Sequence, residues 1–406
     1  MKQERSFSKI FVTAKAEASI RRGHPWVYHT EITEIQGDCT DGYLVDVLTQ
    51  KGRYLGTGFF NSHSKIRVRM ISTNSNDRFD QAFYERRLRY AWEYRKTVMG
   101  QDVSCCRLIF GEADSFPGLT VDRFGDILVT QTLSLGVELL KPMLFPALVH
   151  ILREDGQDIR GVYERSDAKV RLQEGMERYK GFLGAPFDTK VEIVENGVRY
   201  FVDVKDGQKT GFFLDQKYNR QAVGRLCRGA RVLDCFTHTG SFALNAGICG
   251  AEHVIGVDAS ELGVAQAREN AALNGLEDRV EFLCADVFDL LPQLEQQGEQ
   301  FDVVILDPPA FTKSRSSVKK AVKGYREINL RAMKLVRDGG FLATCSCSHF
   351  MDYELFTQTI GQAARNVHKR LRQVEYRTQS PDHPILWAAD DSYYLKFYIF
   401  QVCDEK

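Results

Sequence analysis

The chain has 406 residues, too many for one ordinary core, so two or three domains are expected. Hydrophobic residues make up 43% and charged residues 27%, which excludes an intrinsically disordered chain. The formal net charge is zero, so no global field marks a nucleic-acid binder, although charge is uneven locally.

The N-terminus, MKQERSFSKIF, is charged and lacks the apolar stretch of a signal peptide, and no apolar run nears membrane-spanning length. Residues 1–75 alternate short β-like runs at 10–13, 43–48 and 66–71 with turns at Asp41-Gly42 and Lys51-Gly52. A short helix near 15–22 interrupts them, and a small β-barrel-type module is expected. Residues 80–99 have helical spacing, with Phe83, Leu88, Ala91, Trp92 and Val98 on one side and basic residues between. Strands at 119–123 and 127–133 meet at Phe124-Gly125-Asp126, where glycine favours a tight turn. A helix at 137–152 and strands at 159–164 and 170–173 complete an α+β middle domain, assigned to 76–187. From 188 to 406 a third domain is expected. It opens with a hairpin at 191–204 turning at Asn196-Gly197. Strands at 231–235, 253–257, 280–284, 301–306 and 341–345 then alternate with helices at 241–248, 260–274, 287–294 and 319–336. This alternation predicts an α/β, doubly wound Rossmann-like domain with a parallel sheet.

Ten cysteines are present, with no CxxC and no Cys/His spacing that suits zinc, so no metal is expected. Most fall in apolar runs and read as small buried hydrophobes in a reducing compartment, which implies a cytoplasmic protein.

In a doubly wound sheet, ligands bind beyond the carboxyl ends of the strands. After the first strand comes Asp234-Cys235-Phe236-Thr237-His238-Thr239-Gly240-Ser241, where Gly240 lets the chain turn into the helix with its N–H groups toward a ligand. Asp258-Ala259 follows the second strand, in place for ribose hydroxyls. Asp286-Val287 follows the third, in place for an exocyclic amine. Asp307 ends the fourth. A dinucleotide site would want GxGxxG, which is missing. Four acids disfavour a diphosphate and suit a cationic, phosphate-free cofactor, and S-adenosylmethionine fits best. Any single strand-end Asp is also an ordinary helix N-cap.

The strings FDVVILDPPAF at 301–311 and FLATCSCSHF at 341–350 bring an acid on a Pro-Pro corner beside a strand with two cysteines. A thiolate that adds to C6 of cytosine turns C5 into a nucleophile toward a sulfonium methyl. Cys347 is the expected nucleophile, and Asp307 the partner of the base edge. Cys345 and Cys347 are also open to a packing reading. An N-methyltransferase would place Tyr or Phe directly after the Pro-Pro corner. Here Ala310 stands there, with Phe311 one place late. The segment 312–326 holds six Lys or Arg and no acid. Lys313, Arg315, Lys319 and Lys320 are expected on RNA phosphates and Phe311 on an extruded base. A solvated charged face is the bland alternative for such a run.

Together these motifs resemble the class I S-adenosylmethionine-dependent 23S ribosomal RNA large-subunit methyltransferases that make 5-methylcytosine and carry an N-terminal PUA domain. The likeness is carried by Arg22-Gly23-His24-Pro25-Trp26-Val27, by DSFPGLTVDR at 114–123, by GQKTGFFLDQ at 207–216, and by LDPPAF and SCS. The resemblance implies cofactor contacts at Lys209, Phe213, Phe236, Thr237, Gly240, Ser241, Asp258, Asp286 and Asp307. Asp234, Thr239, Ala259 and Val287 join them from the strand-end reading. It further implies ribosomal RNA as partner, and a homodimer. Related two-cysteine enzymes carry a second Cys where Ala310 stands, which excludes two-thiol release through that corner. Competing readings are a base-nitrogen methyltransferase, for example at guanine N2, and a non-catalytic RNA-binding ribosome-assembly factor.

Overall fold

The computed structural model describes residues 6–312 and 314–405. The chain divides into two compact units. One comprises the residues up to Glu192, Val202–Leu214 and Pro381–Ser392, and the other Ile193–Phe201, Asp215–Ser380 and the chain from Tyr393.

The first unit contains two sheets. A six-stranded sheet runs in the order Trp26–Tyr28, Ile66–Ser72, Tyr54–Phe60, Leu44–Thr49, Ser8–Val12, Ile32–Gln36. Ile10, Val12, Val27, Val45, Val47 and Val68 alternate inward along its strands and form its core. The second sheet has five strands in the order Tyr179–Leu183, Gly161–Ser166, Ile127–Thr132, Leu119–Phe124, Cys105–Phe110. Ile127–Thr132 and Gly161–Ser166 pair in parallel, and the crossover this demands is the helix Leu135–Glu154. The Arg69 guanidinium ties the two sheets' regions together, reaching Glu112 at 3.2 Å and Glu174 at 3.0 Å. The Phe59 ring fills the space where Gly136 lacks a side chain.

Two expectations change here. Residues 170–173 form a single helical turn and not a strand, because Arg171 is the buried residue. Its guanidinium donates to the Thr132 carbonyl and to Glu138, at 2.6 and 2.8 Å. Leu172 is left exposed, the reverse of what a strand packed on its apolar side would do. Secondly, Leu135–Glu154 is long and apolar enough to cross a membrane by length and composition alone. Its Val137, Leu144, Leu148, Ile151 and Leu152 are buried in the unit, and Lys141 pairs with the buried Glu164 at 2.8 Å. The basic residues of the helix Gln81–Met99 also have structural partners. Arg95 is fully buried against Asp114, Arg89 meets Glu154 and Lys96 meets Asp155.

The second unit holds a seven-stranded sheet in the order Val280–Cys284, His253–Asp258, Arg231–Cys235, Phe301–Leu306, Val336–Ser346, Lys396–Asp404, Lys369–Arg377. The first five strands are parallel, and Lys396–Asp404 runs antiparallel to both neighbours. Leu233, Val257, Val304, Leu306 and Leu342 have no exposed surface, as expected for strands covered on both faces. The helices Val287–Gln296, Val318–Leu335 and Tyr353–Asn366 pack together, and Ser241–Ile248 packs with Lys217–Gly224 and Glu261–Leu273. At the hairpin turn, Asn196 and Gly197 both have positive φ, 54° and 80°, as a two-residue type I′ turn requires. Asn196 donates to the Lys217 carbonyl at 2.8 Å and to Asn245 at 3.2 Å.

Candidate active site

Strand order reverses between Arg231–Cys235 and Phe301–Leu306, and a ligand crevice forms at the carboxyl ends of such a pair. The loop that follows Arg231–Cys235 is tightly wound: Phe236, His238 and Gly240 have φ of 65°, 53° and 85°. A side chain at Gly240 would meet the Phe282 ring at 2.8 Å, so only glycine both turns here and clears that ring. Gly240 leads directly into the helix Ser241–Ile248. Behind the loop, the Tyr200 hydroxyl donates to the Ser241 carbonyl at 3.2 Å and accepts from Asn245 at 2.9 Å.

The four strand-end acids differ in environment. Asp234 is fully buried and accepts from the Thr237 hydroxyl at 2.6 Å and the Ala243 amide at 2.9 Å. Asp258 accepts the His238 amide on one oxygen and the Ser260 amide on the other, both at 2.9 Å. Ala259 beside it is exposed. Asp286 is exposed and caps the helix Val287–Gln296 by accepting the Phe288 amide at 2.8 Å. The Val287 side chain belongs to the core, so any ligand contact there comes from its backbone.

Asp307 accepts the Cys345 thiol at 2.9 Å and the Gln216 amide at 3.0 Å. Burial pushes the Asp307 carboxyl above its ordinary range, opposed by the Cys345 hydrogen bond. Burial also pushes the Cys345 thiol well up, and the Asp307 charge adds to it. The Cys345 thiol thus serves as a donor to the Asp307 carboxylate. Cys347 lies one residue past the end of its strand, partly exposed, with its sulfur 4.0 Å from the Pro308 carbonyl oxygen. The thiol that partners the carboxylate is thus Cys345, while Cys347 stands at the next residue of the Pro-Pro corner. The sequence singles out no separate role for Gln216. Its signal was its place at the end of the GQKTGFFLDQ string.

The remaining predicted residues fall in three places. Lys209 and Phe213 belong to the first unit, where the Lys209 ammonium lies 4.4 Å from the centre of the Phe213 ring. Their segment is fixed by Thr210, which donates to Asp122 at 2.5 Å, and Asp122 is held by Arg107 at 2.7 Å. Phe311 is partly buried among Tyr325, Phe288 and Phe236, with ring centres 4.6, 5.8 and 6.3 Å away. These ring contacts give it a packing role on the side it shares with Tyr325. Arg315, Lys319 and Lys320 are exposed, and Lys313 lies outside the described residues. Ser348 ties this basic segment to the cysteine turn by donating to the Thr312 carbonyl at 2.9 Å.

The S-adenosylmethionine-dependent methyltransferase family matches residues 173–399, and a PUA-like domain matches 10–73. The chain is 39% identical to ribosomal RNA large subunit methyltransferase I of Aeromonas salmonicida, over 95% of this chain and 97% of that one. It is 36% identical to the protein of that name from Alteromonas mediterranea, over 98% of this chain and 100% of that one. The chain belongs to the ribosomal RNA large subunit methyltransferase I family. It is a SAM-dependent methyltransferase with an N-terminal PUA-like domain and a C-terminal Rossmann-like fold. A SAM-dependent methyltransferase structure from Streptococcus mutans shares the fold, with a TM-score of 0.81 at 21% identity over 97% of this chain and 99% of that one.

The strand-end loop of this methyltransferase fits its cofactor. Asp234 Oδ1 and Thr239 Oγ1 are buried without a hydrogen-bond partner, which suits a ligand that brings polar groups to meet them. Burial pushes the Asp234 carboxyl up to about 7, opposed by the Thr237 hydroxyl and reinforced by the Asp307 charge. The folded chain thus keeps this proton up to about pH 7, whereas the unfolded chain loses it near about pH 4. The unfolded state binds fewer protons across that window, so this group makes stability fall as pH rises from about 4 to about 7, with no further loss above it. Asp234→Asn is expected to flatten the dependence of Tm on pH in that window relative to the parent. Parallel profiles for the two proteins would contradict the assignment.

Proposed function

We propose that this methyltransferase forms 5-methylcytosine in the 23S RNA of the large ribosomal subunit, with Cys347 as nucleophile. In this reading residues 1–75 grip RNA, 76–187 form a middle domain and 188–406 carry the chemistry. The observation that carries it is the division of labour between the two thiols. Cys345 is sealed and held protonated against Asp307, whereas Cys347 is accessible at the Pro308 carbonyl.

The cofactor, held by the loop at 234–241 with Asp258, Ala259, Asp286 and Val287, supplies an electrophilic methyl group. The Cys347 sulfur adds to C6 of the base, which raises electron density at C5. Once C5 carries the methyl group and has lost its proton, the Cys347–C6 bond breaks and the thiolate is released. Asp307, at the same corner, accepts from or donates to the N3 and amino edge of the ring according to its protonation state. The packing of Phe311 supports carbon over nitrogen as the target. No aromatic ring follows the Pro-Pro corner directly, and the nearest one is engaged with Tyr325.

Binding of the RNA is assigned to Lys313, Arg315, Lys319 and Lys320. Lys319 and Lys320 stand in the first turn of the helix Val318–Leu335, where no acid accompanies them and the helix dipole disfavours cations. Such a placement is better satisfied by an anionic partner than by the fold alone. The double variant Lys319→Glu, Lys320→Glu is expected to weaken RNA binding and to reduce the slope of log affinity against log salt by about 1 or more. An unchanged slope would remove these two residues from the interface.

The decisive experiment uses ribosomal RNA containing 5-fluorocytosine. Because fluorine at C5 cannot leave as a proton, a covalent protein–RNA species should accumulate and map to Cys347. Methylation at a base nitrogen, with no such species, would overturn the reading.

A further inference from the structure

Lys396 opens the strand Lys396–Asp404 and is only 1% exposed. It stands in register opposite Ser346, the residue before Cys347. From there its ammonium reaches around the cysteine turn. It donates to the Ser348 carbonyl at 2.7 Å and to the Tyr394 carbonyl at 2.8 Å. Ser348, the residue after Cys347, is also held through its hydroxyl to Thr312, and the Ser346 hydroxyl meets Tyr325 at 3.0 Å. The turn is thus fixed on both sides of the sulfur, and one of the groups that fix it is a buried cation.

A buried ammonium is costly unless an anion faces it, and two carbonyl dipoles do not cancel its charge. The titratable groups that act on Lys396 are Cys347, Cys345 and Asp352, with Cys347 foremost among those that favour its charge. Asp352 is exposed and caps the helix Tyr353–Asn366. Cys345 is kept as a thiol by burial and by the Asp307 charge. Tyr325, also facing Cys347, is pushed up by burial and stays neutral. Among these groups, Cys347 is the one left to complement the ammonium by losing its proton. Burial lowers Lys396 to about 8, so at neutral pH its charged form still predominates.

We infer that Lys396 is a positioning residue for Cys347, which fixes the turn that carries the sulfur and stabilises its thiolate by charge. This inference rests on the reading of Cys347 as the nucleophile. It assigns the activation of that thiol to the strand Lys396–Asp404, which pairs beside the cysteine strand but lies far from it in sequence.

The test is the pH dependence of iodoacetamide alkylation at Cys347, followed by peptide mass mapping on the full-length protein. The parent, Lys396→Met and Lys396→Arg are compared. Cys347 in the parent is expected to titrate below the ordinary thiol value of about 8.5. In Lys396→Met its profile should move up by about one pH unit or more, which is about tenfold less thiolate at neutral pH. Lys396→Arg, which keeps the charge, should recover most of the shift. Methyl transfer by Lys396→Met should fall at pH 7 and recover as pH rises, which a merely structural defect would not do. A parent thiol that titrates at or above about 8.5 overturns the inference even if Lys396→Met fails to fold. An unmoved profile in a folded Lys396→Met does the same. Cys347→Ser that still methylates RNA would instead overturn the underlying reading, so the two failures are distinct.

Discussion

Cys347→Ser is expected to lower methyl transfer by more than about 10³-fold while leaving S-adenosylmethionine binding within a factor of two or so. The loss is large because the sulfur supplies the covalent step, and an alkoxide at the same place is a far weaker nucleophile toward C6. Cofactor binding survives because the loop at 234–241 and the acids at 258 and 286 are built without Cys347. The contrast with Cys345 gives the prediction its force. Cys345→Ser keeps a donor toward Asp307, and Gln216 still donates to the same carboxylate oxygen at 3.0 Å. Its activity is expected to stay within about tenfold of the parent. Cys345→Ala removes the donor and should cost more than Cys345→Ser, yet still leave turnover above that of Cys347→Ser. Single-turnover assays with labelled cofactor, alongside calorimetric binding of S-adenosylhomocysteine, separate chemistry from binding. If Cys345→Ser proved dead and Cys347→Ser active, the roles given to the two thiols would be reversed and the proposed mechanism lost.

That distinction was not legible in the cysteine motif itself. The sequence places Cys347 further along the strand and hence nearer the cleft, which agrees with its accessibility. It does not say which thiol faces Asp307, because that depends on register between parallel strands. The observed register sets Leu306 opposite Thr344, so the next residues, Asp307 and Cys345, become neighbours. Cys347 is carried one step beyond, to Pro308. Elements were read best where burial imposes a simple pattern. Arg231–Cys235, Val280–Cys284, Phe301–Leu306 and the helix Ser241–Ile248 have the expected bounds; in Arg231–Cys235 and Phe301–Leu306, inside the sheet, both-sided burial makes the strands nearly continuous apolar runs. Lys369–Arg377 is the opposite case. As the outermost strand of its sheet it is charged and largely exposed, a composition that protects an edge but hides a strand from pattern reading. The basic residues divide in the same way. Arg69, Arg95 and Arg171 look like available charge in sequence, but each is committed to carboxylates inside the first unit.

The largest effect on stability is expected at Arg220 and Glu195, 1% and 0% exposed and 2.6 Å apart. The pair joins the hairpin strand Lys190–Glu195 to the helix Lys217–Gly224. Around it, Asn196 binds Lys217 and Asn245, and the Arg220 guanidinium lies 5.9 Å from the centre of the Phe242 ring. Phe242 belongs to the helix Ser241–Ile248, which Gly240 leads into, so the ion pair packs beneath the start of the strand-end loop's helix. Removing one partner strands a charge in a fully buried site, at a cost of about 3–5 kcal/mol. Glu195→Gln and Arg220→Met should therefore each destabilise the second unit by about that amount, measured from urea midpoints of the transition assigned to it. The double variant Glu195→Met, Arg220→Met removes both charges of the pair together and should cost clearly less than the sum of the single variants, a coupling read directly from the double-mutant cycle. Cofactor affinity should fall with the single variants and be partly regained in the double. Single losses below about 1 kcal/mol, or strictly additive ones, would mean that the buried pair is not what holds the hairpin against the helix.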